Sequence, residues 1–287
     1  MTSDLKGKLF LVTGGTEGIG KAACRNFAQR GATLVLVGRN PAKTETVAEQ
    51  LRGLGAERVE TLIGDMSVVA EIRRVAATLK AKHDRIDVLV NNAGAVFTDH
   101  KLSADGFEMT FALNHIGYWV FTVELLDVLE RTPGARVVST SSGAHYRGKL
   151  DLDAIAKRPD GSAGFGVYCD SKLANVVFTR ELAKRLEGKD VAVSCFHPGF
   201  VATAFGHNNQ GLFGWGAKVA QKLFARTPEK GAETLIYLAT SPEAASAKGE
   251  YYFDERVRKP NVRALDDDLC RRFWELSKEL TGSAATS

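Results

Sequence analysis

The chain has 287 residues, 38 Lys and Arg against 34 Asp and Glu, a net charge of +4 and 44% hydrophobic residues. This is enough for one well-buried domain over residues 1–280, undivided by linker or repeat, with a small, polar and disordered tail expected over 281–287. The mild positive excess has no basic stripe interleaved with aromatics, which argues against a nucleic-acid partner. The four cysteines and six histidines lack paired or ligand spacing, and Met1–Lys8 is too short to span a bilayer, so no metal site and a reducing cytoplasmic setting are expected.

Along the chain, Lys8–Val12 is a short apolar run that reads as a buried strand. It feeds into Thr13-Gly14-Gly15-Thr16-Glu17-Gly18-Ile19-Gly20 and then a helix-like run, Lys21–Arg30. Strand, glycine turn and helix form the phosphate-binding start of a dinucleotide fold, because glycines admit the pyrophosphate and the helix N-terminus supplies N–H donors. Gly14, Thr16, Glu17, Gly18, Ile19 and Gly20 are its candidate contacts. A second strand near Leu34 ends in Gly38-Arg39. Its end lacks the carboxylate that grips the ribose hydroxyls of NAD, and Arg39 would favour a 2′-phosphate, hence NADP. The alternative for Arg39 is a solvated strand-end residue.

Further strands are expected near Val59, Val88, Val137, Val193 and Tyr251, and their alternation with helical segments predicts a doubly wound parallel α/β sheet. The fifth strand runs into a serine-rich stretch, Ser139 to Ser142. Tyr168 and Lys172 lie four apart ahead of an amphipathic run to Leu186, so they share a helix face if the helix begins by Gly166. A cation beside a phenol is expected to lower its pKa and make a proton donor and acceptor. Cys169 reads as a packed thiol. The segment Ala204–Arg226 is rich in glycine and apolar residues and reads as a mobile lid; Ala217–Phe224 also has an apolar face that would suit peripheral contact with a membrane or an oligomer surface, although packing on its own domain is favoured.

The Thr-preceded spacing Gly14, Gly18, Gly20 resembles the short-chain dehydrogenase/reductase family. Asn91-Asn92-Ala93-Gly94, Asn114 in Phe111–His115 and His197-Pro198-Gly199 match in order, over about Lys8–Thr203. The wording of residues 104–109, 114–117, 168–186 and 249–254 is similar to the retinol dehydrogenase-like and carbonyl reductase members. The resemblance implies a Rossmann-type sheet of seven strands in the order 3-2-1-4-5-6-7. It implies that Asp65, at the end of the third strand, and Met66 contact adenine, with Asn92, Ala93 and Gly94 beneath it. Pro198, Gly199, Val201 and Thr203 would approach the nicotinamide.

A catalytic tetrad of Asn114, Ser142, Tyr168 and Lys172 is likewise implied. Tyr168 would exchange the proton, Lys172 hold the nicotinamide ribose, the serine polarise the carbonyl and Asn114 fix a water beside Lys172. The family's serine is second in its pair, which selects Ser142 over the alternative Ser141. The implied activity is NADP-dependent hydride transfer to a hydrophobic aldehyde or ketone (a retinal-, steroid- or lipid-like class), run as a reduction. Phe97, Tyr146 and Phe200 would complete the pocket, and His145 either lines its mouth or is a plain loop residue. The membrane segment usual in animal retinol dehydrogenases is not expected here. A homodimer or homotetramer pairing Ser103–Leu129 and Gly166–Glu187 is expected. Two other readings are a sugar-nucleotide epimerase, disfavoured by the glycine spacing, and a non-catalytic NADP-sensing or scaffold protein, disfavoured by the intact tetrad.

Overall fold

The computed structural model describes residues 3–157, 163–200 and 226–283, the side chains of 156 and 157 excepted. Its centre is an eight-stranded sheet of β1 (Leu9–Thr13), β2 (Thr33–Gly38), β3 (Arg58–Ile63), β4 (Val88–Asn91), β5 (Ala135–Thr140), β6 (Val191–Phe196), β7 (Lys248–Phe253) and β8 (Arg256–Arg258). The order is β3-β2-β1-β4-β5-β6-β7-β8. The first seven strands are parallel and follow the expected order. The eighth corrects the expected count: β8 turns back antiparallel on β7 through Asp254 and Glu255, both at positive φ.

The central strands are mostly apolar because both faces are covered. Leu9 and Leu11 pack against α3 (Val69–Lys80), α5 (Gly117–Glu124) and α8 (Phe165–Arg185). Phe10 and Val12 point the other way, against α1 (Gly18–Gln29), α2 (Pro41–Arg52) and α9 (Pro228–Thr240). Strand order reverses between β1 and β4, so the crevice for a ligand opens at the carboxyl ends of these strands.

Local structure departs from expectation at three places. The segment over Ser103–Leu129 becomes helical only at Met109, and it passes through a π-helical turn, Ala112–Ile116, that carries Asn114. Asp65 lies two residues beyond β3 rather than at its end. Residues 281–283, assigned to a disordered tail, are ordered: Thr281 completes α10 (Asp267–Thr281), and Arg73 donates to the Thr281 carbonyl at 2.8 Å.

Candidate active site

The glycine turn joins β1 to α1. Gly14 and Gly18 adopt φ of +67° and +50°, open to glycine without strain. A Cβ at Gly20 would lie 2.3 Å from the Gly14 carbonyl oxygen, and one at Gly14 would lie 2.7 Å from the Ala93 Cα. The first turn of α1 carries no side-chain cap from Glu17, whose carboxylate pairs with Lys43 instead. Its uncapped N–H groups suit an anion. Ile19 and Gly20 are buried behind Thr16 and Glu17.

Thr13, which the sequence marks only as the residue before the glycines, ties this turn to β4. Its Oγ1 accepts from the Asn92 and Ala93 amides at 2.9 and 3.2 Å, while Asn92 Nδ2 donates to the Gly14 carbonyl at 3.0 Å. Thr140 Oγ1 donates to Asn92 Oδ1 at 3.2 Å, which links β5 to the same turn. Position 38 is closed to side chains, because a Cβ there would lie 2.1 Å from Oγ1 of the buried Thr44. Arg39 is 73% exposed with its Nη1 3.7 Å from Asp65 Oδ2. Asp65 Oδ1 is committed to the amide and hydroxyl of Ser67. Met66 is buried, its carbonyl so close to Gly117 that a Cβ there would lie 2.3 Å away.

Four of the expected residues converge at the carboxyl end of the sheet. α8 begins at Phe165, which puts Tyr168 and Lys172 on one face, with Lys172 Nζ 5.8 Å from the Tyr168 ring centre and 5.6 Å from that of Tyr118. Ser142 hydrogen-bonds the Tyr168 phenol. Ser141 points away and donates to the Lys172 carbonyl at 2.8 Å. Of the two serines, then, Ser142 is the one that meets the tyrosine. Asn114 is fully engaged nearby: Oδ1 accepts from the Ala95 amide and Nδ2 donates to the Ala95 carbonyl, both at 2.9 Å, and to Ser171 Oγ at 3.1 Å. It thereby pins the loop after β4. A Cβ at Gly94 would lie 2.9 Å from Asn114 Oδ1.

Electrostatics depart from the sequence argument. Burial pushes the Tyr168 phenol up to about 12, opposed by the Ser142 hydrogen bond, and the ammonium does not reverse it. Burial likewise pushes Lys172 down to about 7; its Nζ donates to the Thr140 carbonyl at 3.1 Å.

At the mouth, His145 is fully buried. It holds the Ser142 carbonyl through Nδ1 at 2.7 Å and accepts from the Asn261 amide at Nε2. It is a structural clasp on the serine loop. Tyr146 and Phe200 are half exposed, Tyr146 tied by its hydroxyl to the Lys259 carbonyl. Phe97 is partly buried, its carbonyl accepting from the Gly164 amide. Pro198 leads into Gly199 at φ +83°, whose amide donates to His197 Nδ1. Val201, Thr203 and the lid segment up to residue 225 lie outside the described residues; Arg226 pairs with Asp254.

His115 and His145 are both pushed down to about 4 by burial. Between the ordinary value of 6.5 and about 4, the unfolded chain binds more protons than the folded one, so stability is full above this window and falls as pH falls through it. The loss is on the order of 3 kcal/mol per histidine. Thermal unfolding followed from pH 7 to pH 4 should show a falling midpoint, and a flat profile would contradict the buried neutral assignment.

The glycine turn, the N-terminus of α1 and the cluster of Asn114, Ser142, Tyr168 and Lys172 thus lie at the carboxyl end of the sheet. The model of the short chain dehydrogenase family matches residues 8–211, and the chain belongs to that family. It is an oxidoreductase acting on CH–OH groups with a nicotinamide cofactor. It is retinol dehydrogenase-like: human retinol dehydrogenase 13 is 35% identical over 99% of this chain and 87% of its own, and human retinol dehydrogenase 12 is 35% identical over 97% and 87%. Among solved structures, an uncharacterized protein of Mycobacterium paratuberculosis superposes with a TM-score of 0.78 at 28% identity, covering 100% of this chain and 99% of its own. A short chain dehydrogenase of Burkholderia cenocepacia, in complex with NADP, matches at a TM-score of 0.66 and 25% identity over 86% and 96%. The turn fits such a cofactor, since Gly14 and Gly18 hold it at positive φ, Gly14 and Gly20 pack it closely against Asn92 and Ala93, and the first turn of α1 has no side-chain cap from Glu17. Among the described residues no helix is long and apolar enough to cross a membrane.

Proposed function

We propose that the protein is an NADPH-dependent reductase of hydrophobic aldehydes or ketones. The observation that carries this reading is the meeting of the Ser142 hydroxyl and the Tyr168 phenol beside the buried Lys172. Bound nicotinamide supplies the hydride. Tyr168 holds the proton destined for the carbonyl oxygen, and Ser142 donates a hydrogen bond that stabilises the developing alkoxide. Lys172 presents a buried cation near the phenol, which favours charge there when the proton leaves. Asn114 keeps the loop after β4 in place. The matched relatives named retinol dehydrogenase support an apolar substrate, as do the exposed Tyr146 and Phe200 rings at the mouth. The four cysteines are free and buried, in keeping with a reducing cytoplasmic setting, and the oligomer is proposed to be a dimer or tetramer.

NADP is favoured over NAD because position 38 cannot carry a carboxylate without displacing Thr44, whereas Arg39 and Lys43 place cations beside the turn. Replacing Arg39 with Ala should weaken NADPH about 10- to 100-fold, the worth of a charge-assisted contact, and leave NADH unchanged. Calorimetry with both cofactors checks this; tighter binding of NADH to the unaltered protein would overturn the NADP assignment. The activity itself is tested by offering hydrophobic aldehydes and ketones with each cofactor and quantifying the alcohol formed.

A further inference from the structure

One turn beyond Lys172, the fully buried Asn175 joins three pieces of the site. Its Nδ2 donates to the Asn114 carbonyl at 2.9 Å and to the Thr140 carbonyl at 3.2 Å. The Thr140 oxygen is also the one that accepts from Lys172 Nζ. Its Oδ1 faces His115 Nδ1 at 3.0 Å. An amide whose two N–H groups serve two carbonyls must turn its oxygen to the imidazole, so His115 must carry a proton on Nδ1. His115 is enclosed by Phe111, Phe178 and Phe273, and its Nε2 is a buried acceptor without a partner among the described residues. A buried orphan of this kind costs about 1–3 kcal/mol, which calls for a compensating role. The Asn114 carbonyl lies in the π-helical turn Ala112–Ile116, a departure from regular helix that recurs at functional sites.

We propose that Asn175, oriented by the Nδ1–H of His115, is a positioning residue that holds the Asn114 and Thr140 carbonyls and thereby sets the place and charge environment of the Lys172 ammonium. The titratable groups facing that ammonium are Tyr168 on its own helix, Tyr118 on α5 and His115 on the π turn. Removing the Asn175 amide frees two carbonyl dipoles to favour the ammonium, so the lysine should hold its proton to higher pH.

The role rests on the reductase reading, and the two fail differently: without reductase activity the unaltered protein does not turn over, whereas without this role it turns over and the variants share its pH profile. The experiment compares the pH dependence of kcat and the thermal midpoint in Asn175→Leu, His115→Leu and His115→Asn. Asparagine places an amide nitrogen where the histidine has Nδ1, so it keeps the donor. Asn175→Leu and His115→Leu are expected to lower kcat tenfold or more and move the Lys172-linked midpoint upward, while His115→Asn restores the midpoint of the unaltered protein. An unmoved midpoint in folded leucine variants would overturn the proposal, as would His115→Asn behaving like His115→Leu. If the leucine variants do not fold, 15N NMR of the unaltered protein decides: a proton on His115 Nδ1 is expected, and one on Nε2 refutes the proposal.

Discussion

Replacing Tyr168 with Phe is expected to lower kcat about 10²- to 10⁴-fold, the range of a positioned proton donor, while NADPH still binds. The substitution removes one oxygen and nothing else. The ring keeps its place 6.0 Å from Phe165 and near Lys172 Nζ. The lost hydrogen bond with Ser142 costs about 1 kcal/mol of stability, too little to unfold the chain. A phenol pushed up to about 12 remains protonated at neutral pH and serves as the acid in the reductive direction, in keeping with the proposed role. Steady-state kinetics and calorimetry on the same preparation separate the two effects. Retained turnover would remove Tyr168 from the chemistry, and lost NADPH binding would show that the ring also holds the cofactor.

The second large effect is expected at Gly20. An alanine Cβ would lie 2.3 Å from the Gly14 carbonyl oxygen and 2.4 Å from Asn92 Nδ2. Neither neighbour yields cheaply, since Asn92 Nδ2 donates to that same carbonyl and Asn92 also links β4 to β5. Gly20→Ala should therefore spread the turn, cost about 1–3 kcal/mol or more, and weaken NADPH at least about tenfold by moving the α1 amides. Gly166→Ala is the control, because among the described residues nothing lies within 4 Å of a Cβ there and the position is helical. It should stabilise the protein by about 0.5–1 kcal/mol. Denaturant midpoints for the pair, read with NADPH affinities, test the cradle; equal behaviour of the two variants would refute it.

What could be read from the sequence follows from where the physics is local. The apolar runs around Leu9, Leu34 and Val88 announce strands buried on both faces, and Gly14 to Gly20 announces a turn against a helix N-terminus. Tyr168 and Lys172 share a face by helical spacing alone. By contrast, β8 has three exposed residues, Arg256 to Arg258, too few and too polar to show a period, so the antiparallel turn was missed. The direction of the Tyr168 shift depends on how deeply the phenol is buried, which no local pattern encodes. The closure of position 38 depends on Thr44, six residues on and packed back beneath the strand. Thr13 acts through amides and Asn175 through carbonyls distant in sequence, and the π turn that presents the Asn114 carbonyl has no residue pattern of its own. Thr281 is small and polar, but it is buried because Arg73 and Ser277 receive the end of α10.

The most direct test of the account is the fate of the hydride. NADPH deuterated at both C4 positions is incubated with the protein and a hydrophobic aldehyde, and the alcohol is examined by mass spectrometry. A single deuterium on the carbinol carbon, absent with Tyr168→Phe, is the expected result. Tight NADPH binding with no labelled alcohol from any carbonyl in the panel would contradict it and favour a protein that senses the cofactor without turning it over.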